Sequence, residues 1–461
     1  MSAIWSDESK FRKWLEVELA VLRVREKRGE LPAGTAEGIA QKCYVDRYVA
    51  TGVNNREKVN GHDLNAFVEL MRVLIINPPP DSTEASLMQN LSDESITVTL
   101  AKGMQERWDH FFHEGMTSYD TEEPAMALLL GEADRQIMRR FNSVSAQLRE
   151  LAGQHRGTLM IGRTHGQWAQ PVTFGKRCLD WLGGLWDARD VFEFSSKRLR
   201  IMKLSGAVGM YGTFGPEIEA QVAQELDLVV ARIATQIMPL GRKAHHMASL
   251  ALIASEVEKI ARDLWLLSQS EIGEVQEPFG KKQKGSSAMP HKKNPITFEK
   301  MFGLPRAIRG YMLALFENVA TAHERDISHS SVERVSIPEA YAYTEHLQIQ
   351  LERMLGGLQV FPERMLQNLE ATKEVYASQV VRDLLGQHGV AGETAYRFIQ
   401  TCSQIVREKN CPFSDAFLHA DDVEVPYDLR REIGATEAFD QAFDPKWWVR
   451  HEDVYYQRFG F

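Results

Sequence analysis

The sequence has few cysteines and no long apolar run. Only four cysteines occur among its 461 residues, and none forms a C-x-x-C pair: Cys43, Cys178, Cys402 and Cys411. Neither a disulfide framework nor a zinc site is therefore expected. No apolar stretch approaches the roughly 20 residues that span a bilayer, and Asp7, Glu8 and Lys10 stand where a signal peptide would be apolar. We expect a cytoplasmic protein with no membrane partner.

An excess of basic residues is also missing. The formal net charge is -9 and the isoelectric point lies near 5.9. Because nucleic acid binding needs a basic face, no nucleic acid partner is expected, and any site for an anion must be local. With 44% hydrophobic residues the chain can bury a large core.

Motifs for the common cofactors do not occur. There is no P-loop, H-E-x-x-H or EF-hand pattern. The glycines Gly206, Gly209 and Gly212 have the wrong spacing for a dinucleotide fingerprint and no strand-then-helix context. The sequence therefore implies neither a metal nor an organic cofactor.

Helical periodicity dominates what is present. Between Met247 and Leu267, apolar residues recur at spacings of three and four over about six turns. This pattern is typical of core packing in a long bundle helix. Similar patterns cover residues 11–23, 132–151, 175–200 and 306–318. The sequence predicts an all-α protein built around a long helix bundle.

The most informative segment covers residues 285–295 and reads G-S-S-A-M-P-H-K-K-N-P. It carries two hydroxyls, two ammonium groups and an amide, which a core would not tolerate. Its glycines and prolines predict a mobile loop rather than the interior of a helix or strand. A cationic loop of this kind suits a dianionic small-molecule substrate.

Two further segments combine histidine and hydroxyl groups with glycine. Residues 162–167 read G-R-T-H-G-Q, and residues 113–120 read H-E-G-M-T-S-Y-D. With the loop at 285–295, these segments resemble the three signature regions of the fumarase/aspartase superfamily, whose members cleave C–N or C–O bonds and release fumarate. Resemblance of this kind is a hypothesis that the structural context must support.

Another set of residues narrows the resemblance to the adenylosuccinate lyase family. Residues 324–334 read E-R-D-I-S-H-S-S-V-E-R and resemble that family's nucleotide-phosphate segment, and Ile4-Trp5-Ser6-Asp7 and Gly61-His62-Asp63 also match. The likeness covers nearly the whole chain and weakens in the last forty or so residues. It implies an N-terminal helical domain over residues 1–111, a central long-helix bundle over 112–357 and a C-terminal helical domain over 358–461.

The resemblance implies base-catalysed anti elimination without a metal or organic cofactor. Ser286 is the expected base. A serine acts as a base only if its oxyanion is stabilised, and Lys292 and Asn294 in the same loop supply a cation and an amide for that purpose. Ser287 is the alternative base. His165 is the expected proton donor to the leaving nitrogen, and Glu299 is expected to orient its ring.

The resemblance also implies the groups that bind the substrate. Guanidinium groups suit phosphate oxygens, so Arg325 and Arg334 are expected to bind a nucleotide phosphate. The alternative is that these arginines only form helix-surface ion pairs with Glu324 and Glu333. The expected substrate-binding residues are His62, Asp63, His113, Thr117, Ser118, Thr164, Gln236, Ser287, Met289, Arg325, Ser330 and Arg334, together with Lys292 and Asn294. His245 and His246 are interpreted as surface or capping residues without a role.

Several positions depart from the family pattern. The Arg-Tyr pair that family members carry upstream of Trp5 is missing, Gly61 replaces a basic residue, and Leu240-Gly241 replaces Arg-Asp. Glu123-Pro124-Ala125 stands where the family has D-T-A. The resemblance makes adenylosuccinate and the succinylated aminoimidazole carboxamide ribotide the first expected substrates. Because the departures remove polar or charged groups near the expected nucleotide side, a different aspartate adduct is an alternative, and a catalytically silent relative is a second one.

The resemblance finally implies a quaternary structure. Superfamily members assemble as homotetramers in which each active site takes its signature regions from three chains. We therefore expect a homotetramer with active sites shared between chains.

Overall fold

Helices make up most of the structure, a computed structural model that describes residues 1–77, 108–280, 282 and 284–461. In chain order the α-helices are Asp7–Lys27, Thr35–Ala40, Arg47–Asn60, Asp63–Ile76, Ser118–Gln154, Phe174–Leu199, Pro216–Glu225, Gly241–Leu267, Ile296–Gly303, Pro305–Glu317, Ser328–Gly356, Pro362–Glu370, Ser378–Gln387, Gly392–Lys409, Phe413–His419, Tyr427–Gly434, Glu437–Phe443, Pro445–Trp448 and Asp453–Arg458. Short 3-10 helices cover Asp109–Phe111 and Val375–Ala377. The all-α prediction is confirmed.

Strands are short and pair only in twos within the described part of the chain. Leu159–Thr164 pairs antiparallel with Gln167–Thr173 to form a hairpin. Two-residue strands form the other sheets, with Ile201–Met202 parallel to Val229–Val230, and Val275–Gln276 antiparallel to Gln359–Val360. The sequence patterns did not predict these strands.

Each helix predicted from periodicity is present, and three of the five extend beyond their apolar patterns. The pattern over residues 247–267 falls in Gly241–Leu267, and that over 132–151 falls in the 37-residue helix Ser118–Gln154. Polar caps add residues that periodicity does not show. Ser6 is an example, because its hydroxyl oxygen accepts a hydrogen bond from the backbone N–H of Ser9 at the start of helix Asp7–Lys27, which contains the pattern over residues 11–23.

The chain divides into two compact units. The first unit comprises residues 1–139, 188–254 and 305–346, and the second comprises residues 140–187, 255–304 and 347–461. The first has an apolar core that includes Phe11, Trp14 and Phe67, and the second has one that includes Phe398 and Phe417. The three-domain boundaries at about residues 111 and 357 stay a prediction.

The four cysteines are free thiols. Burial raises the pKa of Cys43, Cys178 and Cys402 to about 12 in each case, so these thiols stay protonated and unreactive near neutral pH. Among the described residues, no helix has both the length and the apolar character to cross a membrane.

Candidate active site

A cavity of about 430 Å³ in the first unit collects several residues that the sequence predicted to bind substrate. Most of its wall comes from the start of helix Asp63–Ile76 with the residues before it, and from residues 325–334, which include the first turns of helix Ser328–Gly356. The predicted residues that line it are His62, Asp63, Arg325, Ser330 and Arg334. Two segments that are far apart in the sequence therefore form one polar wall.

Asp63 organises the charges of this wall. Its Oδ2 accepts hydrogen bonds from Arg334 Nη2 at 2.8 Å and from Lys10 Nζ at 2.9 Å. Burial alone would raise the pKa of Asp63, but Lys10 and Arg334 outweigh it and hold the pKa below its usual value. Asp63 is therefore ionised at neutral pH and fixes both cations.

His62 lies beside Ser118. Its Nδ1 accepts a hydrogen bond from the backbone N–H of Asn65 at 3.4 Å, which caps the helix that begins at Asp63. Its Nε2 is 3.4 Å from Ser118 Oγ, so two predicted substrate-binding residues are in contact.

Arg325 is held by two neighbours. Its Nη1 donates to Gln236 Oε1 at 3.1 Å, and its guanidinium lies 3.8 Å from the centre of the Tyr119 ring. A planar guanidinium over an aromatic face is a favourable cation–π arrangement. Neither Arg325 nor Arg334 pairs with Glu324 or Glu333, so the surface ion-pair alternative does not describe this fold.

A buried ion pair supports the segment that carries Thr117. Lys203 Nζ, fully buried, donates to Asp120 Oδ1 at 2.6 Å and also to the carbonyl oxygens of Gly206 and Gln236. Asp120 Oδ2 in turn accepts the backbone N–H of Thr117 at 3.0 Å. Lys203 thus joins two predicted binding segments, although no sequence pattern singled it out.

His113 is largely buried beside a carboxylate. Its Nδ1 lies 2.7 Å from Glu18 Oε1, and the side chain is 13% exposed. Burial favours the neutral ring, but the Glu18 carboxylate outweighs it and raises the pKa of His113. The next glycine in its segment, Gly115, has φ +78, and a Cβ there would lie 2.5 Å from Thr213, so the turn requires glycine.

His165 stands at the tip of the hairpin in the second unit. The φ angles of His165 and Gly166 are 55° and 76°. Positive φ at both central residues is typical of the two-residue hairpin turn whose twist matches that of the paired strands. The predicted bend is therefore a hairpin turn, and Thr164 and His165 are both exposed there. Below the tip, Arg163 pairs at 3.2 Å with Glu274, a fully buried carboxylate.

Ser286 lies in a compact turn of the signature loop. Its Oγ accepts the backbone N–H groups of Ala288 at 3.3 Å and Met289 at 3.1 Å. A Cβ on Gly285 would lie 2.2 Å from the carbonyl oxygen of Lys292, so glycine lets the two ends of the loop approach closely. Ser287, Met289 and Lys292 are exposed, and Asn294 is partly buried.

Glu299 is on helix Ile296–Gly303, which follows this loop. The buried Glu277 starts the helix by accepting the backbone N–H of Thr297 at 3.1 Å. Glu299 is exposed, and within one chain no hydrogen bond or ion pair among the described residues joins it to His165. The predicted pairing of Glu299 with His165 stays a prediction.

The surface interpretation of His246 is wrong, although His245 is exposed. His246 is 2% exposed, and its Nδ1 is 2.8 Å from Ser195 Oγ. Its Nε2 lies 3.1 Å from Asp134 Oδ1 and 2.6 Å from the Tyr341 hydroxyl. The position near a helix start suggested a cap, but the neighbouring helices bury the ring in a polar network.

The chain is similar in sequence to known proteins. A family model described as lyase matches residues 1–310. The adenylosuccinate lyase of Aquifex aeolicus is 36% identical over 458 residues, which cover 99% of this chain and 96% of that protein. The adenylosuccinate lyase of Bacillus subtilis is 34% identical, with coverage of 100% and 97%.

Solved structures support the same fold. The fumarate lyase from Mesorhizobium sp. BNC1 superposes with a TM-score of 0.81 at 25% identity and covers 99% of this chain and 97% of its own. The 3-carboxy-cis,cis-muconate lactonizing enzyme from Pseudomonas putida also gives a TM-score of 0.81, at 24% identity, with coverage of 99% and 95%. Taken with the matches in sequence, these show that the chain belongs to the adenylosuccinate lyase family of the fumarase/aspartase superfamily.

Proposed function

We propose that this chain is a carbon–nitrogen lyase that cleaves adenylosuccinate to AMP and fumarate in the cytoplasm, as a step of purine biosynthesis. The succinylated aminoimidazole carboxamide ribotide is its second substrate. The observation that carries the proposal is the cavity that Asp63, Arg325, Ser330 and Arg334 line together. Membership of the family supplies the reaction class.

The elimination needs a base, an acid and a site for the extra charge. Ser286 removes a proton from the carbon next to a carboxylate, and Lys292 and Asn294 stabilise the negative charge that develops. As the C–N bond breaks, His165 gives its proton to the leaving nitrogen, and Glu299 orients the imidazole. Ser287 and Met289 contact the substrate from the same loop.

The remaining residues position the substrate. Thr117, Ser118 and Thr164 hold the succinyl carboxylates, and His62 and His113 lie near the same part of the substrate. Arg325 and Arg334 bind the phosphate through their guanidinium forks, with Asp63, Gln236 and Ser330 beside them. The support for this assignment is the hydrogen bond from Arg325 to Gln236 and the ion pair of Arg334 with Asp63.

The active form is a homotetramer whose sites combine segments of three chains. Two inactive variants, Ser286→Ala and His165→Gln, should then restore fumarate release when they are unfolded and refolded together. In mixed tetramers some sites receive both intact residues from different chains. Recovery in the mixture and none in either variant alone supports shared sites, whereas a fully active monomer in light scattering contradicts them.

The direct test of function is turnover. Purified protein is incubated with adenylosuccinate while the absorbance change is followed, and fumarate is measured separately as a product. Rapid release of fumarate supports the proposal. No turnover by a folded tetramer rejects adenylosuccinate and favours another aspartate adduct, whereas a failure with every such adduct favours a silent relative.

A further inference from the structure

Glu122 is a carboxylate in the wall of the candidate phosphate cavity that the elimination chemistry does not use. It lies on helix Ser118–Gln154 and lines the cavity of about 430 Å³. It also lines a neighbouring cavity of about 250 Å³, which shares Ser330 and Arg334 with the first. A negative group therefore stands where an anionic ligand group is expected.

The carboxylate of Glu122 has no partner among the described residues. Within the part of the chain that the structure describes, it has no hydrogen bond and no ion pair, although Lys10, Arg325 and Arg334 are all near enough to influence it. Lys10 and Arg334 are already bound to Asp63, and Arg325 donates to Gln236. The nearby cations are thus engaged by other partners.

Charged and titratable groups face Glu122 from every element around it. Lys10 comes from the first helix, Asp63 from helix Asp63–Ile76, Arg325 from the segment before helix Ser328–Gly356, and Arg334 from that helix. His62 and Glu57 line the larger cavity as well, and Tyr119, Glu123, Lys243, Glu333 and Asp7 line the smaller one.

Burial and the like charge of Asp63 raise the pKa of Glu122 to about 7, although the three cations oppose the shift. Near neutral pH the group is therefore divided between its charged and protonated forms. A dianion beside it would add a further like charge and would favour the protonated form.

We propose that an anionic group of a ligand enters this cavity together with one proton, which Glu122 takes up. The inference rests on the proposed function, because that function puts the substrate phosphate at Arg325 and Arg334. Uptake of the proton removes the repulsion between carboxylate and phosphate and turns Glu122 into a hydrogen-bond donor toward a phosphate oxygen. Because linkage is reciprocal, the ligand binds more tightly where the proton is available.

Proton uptake can be measured by calorimetry with AMP at pH 8. A phosphate monoester is almost fully dianionic at that pH, since its second pKa is about 6. Titrations in two buffers with different ionisation enthalpies give the number of protons taken up. The wild-type protein should take up close to one proton per AMP bound, and Glu122→Gln should take up almost none.

The affinity should change with pH in a matching way. For a free carboxyl that titrates near pH 7 and a bound one that titrates well above pH 8, the AMP dissociation constant rises about fivefold from pH 7 to pH 8. Glu122→Gln has the shape of the protonated form, so its dissociation constant should stay nearly constant over that range. Sulfate does not titrate between pH 7 and pH 8 and serves as a second probe. Its dissociation constant should also rise with pH in the wild type and stay nearly constant in Glu122→Gln.

Two variants separate Glu122 from its neighbours in the cavity. Glu57→Gln makes the same chemical change at another carboxylate of the wall and should keep the proton uptake, as should His62→Asn. Uptake that persists in Glu122→Gln, uptake that is lost in His62→Asn, or an AMP affinity independent of pH in the wild type overturns the inference.

The outcomes also distinguish the inference from the proposed function. Cleavage of adenylosuccinate without proton uptake on AMP binding overturns the inference alone. Proton-linked AMP binding without any cleavage supports the inference and rejects the proposed reaction. A protein that binds neither AMP nor sulfate overturns the inference.

Discussion

Arg334 donates a hydrogen bond to Asp63 at 2.8 Å across 271 residues of sequence. Asp63 is nearly buried at 7% exposure, whereas the Arg334 side chain is 54% exposed. The carboxylate therefore holds an accessible guanidinium in a defined place. An arginine fixed in this way can bind a phosphate with little loss of side-chain entropy.

Replacing Arg334 with methionine should weaken substrate binding more than it slows the chemical step. Hydrogen bonds to charged groups contribute about 1.5–3 kcal/mol, so KM for adenylosuccinate should rise about 10- to 100-fold with a smaller change in kcat. Steady-state kinetics measures this. The control Arg382→Met removes an arginine that pairs with its sequence neighbour Asp383 at the surface, and it should leave KM unchanged. An equal rise of KM in both variants would contradict the assignment of Arg334 to phosphate binding.

Removing the Ser286 hydroxyl should abolish most of the activity. General base catalysis contributes about 10²- to 10⁴-fold, so kcat of Ser286→Ala should fall within that range, measured as fumarate release. Ser287→Ala is the matched comparison from the next position of the loop and should lose less. If Ser287→Ala shows the larger loss, the two serines exchange roles.

Breaking the buried pair of Lys203 and Asp120 should destabilise the fold. Lys203→Met leaves the Asp120 carboxylate buried without its cation, which costs about 3–5 kcal/mol. Urea denaturation followed by circular dichroism measures the free energy of unfolding. Lys259→Met is the control, because its pair with Asp180 is about half exposed and should contribute under about 1 kcal/mol. Similar losses of unfolding free energy in Lys203→Met and Lys259→Met would show that burial does not set the strength of these pairs.

The His113 and Glu18 pair should make stability depend on pH. Glu18 raises the pKa of His113 in the folded protein, so the pair's contribution is fully present below the unfolded pKa of about 6.5. It is lost as the pH rises through the higher folded pKa. His113→Gln should therefore reduce the free energy of unfolding more at pH 6 than at pH 9. If urea denaturation shows that His113→Gln loses the same free energy of unfolding at both pH values, His113 and Glu18 do not form a charged pair.

The helices and the signature loop could be predicted because their signals are local. Apolar spacing alone located the helix Gly241–Leu267, and glycine flanking alone located the bend at His165. The strands on either side of that bend were missed, because Leu159–Thr164 and Gln167–Thr173 do not alternate strictly between apolar and polar residues, and the second strand contains Pro171. His246 was misread because its burial depends on residues from other helices.

The sequence by itself determined the all-α class, the long helices and the chemical groups of the elimination loop, because each depends on residues close together in the chain. Only the tertiary structure decided the partners of the predicted substrate-binding residues. It joined Asp63 to Arg334 and Gln236 to Arg325. It also put Glu122, which has no partner in the part of the chain that the structure describes, beside Asp63, Arg325 and Arg334. Packing between distant segments sets burial and charge at these positions, and a linear pattern of residues does not contain that information.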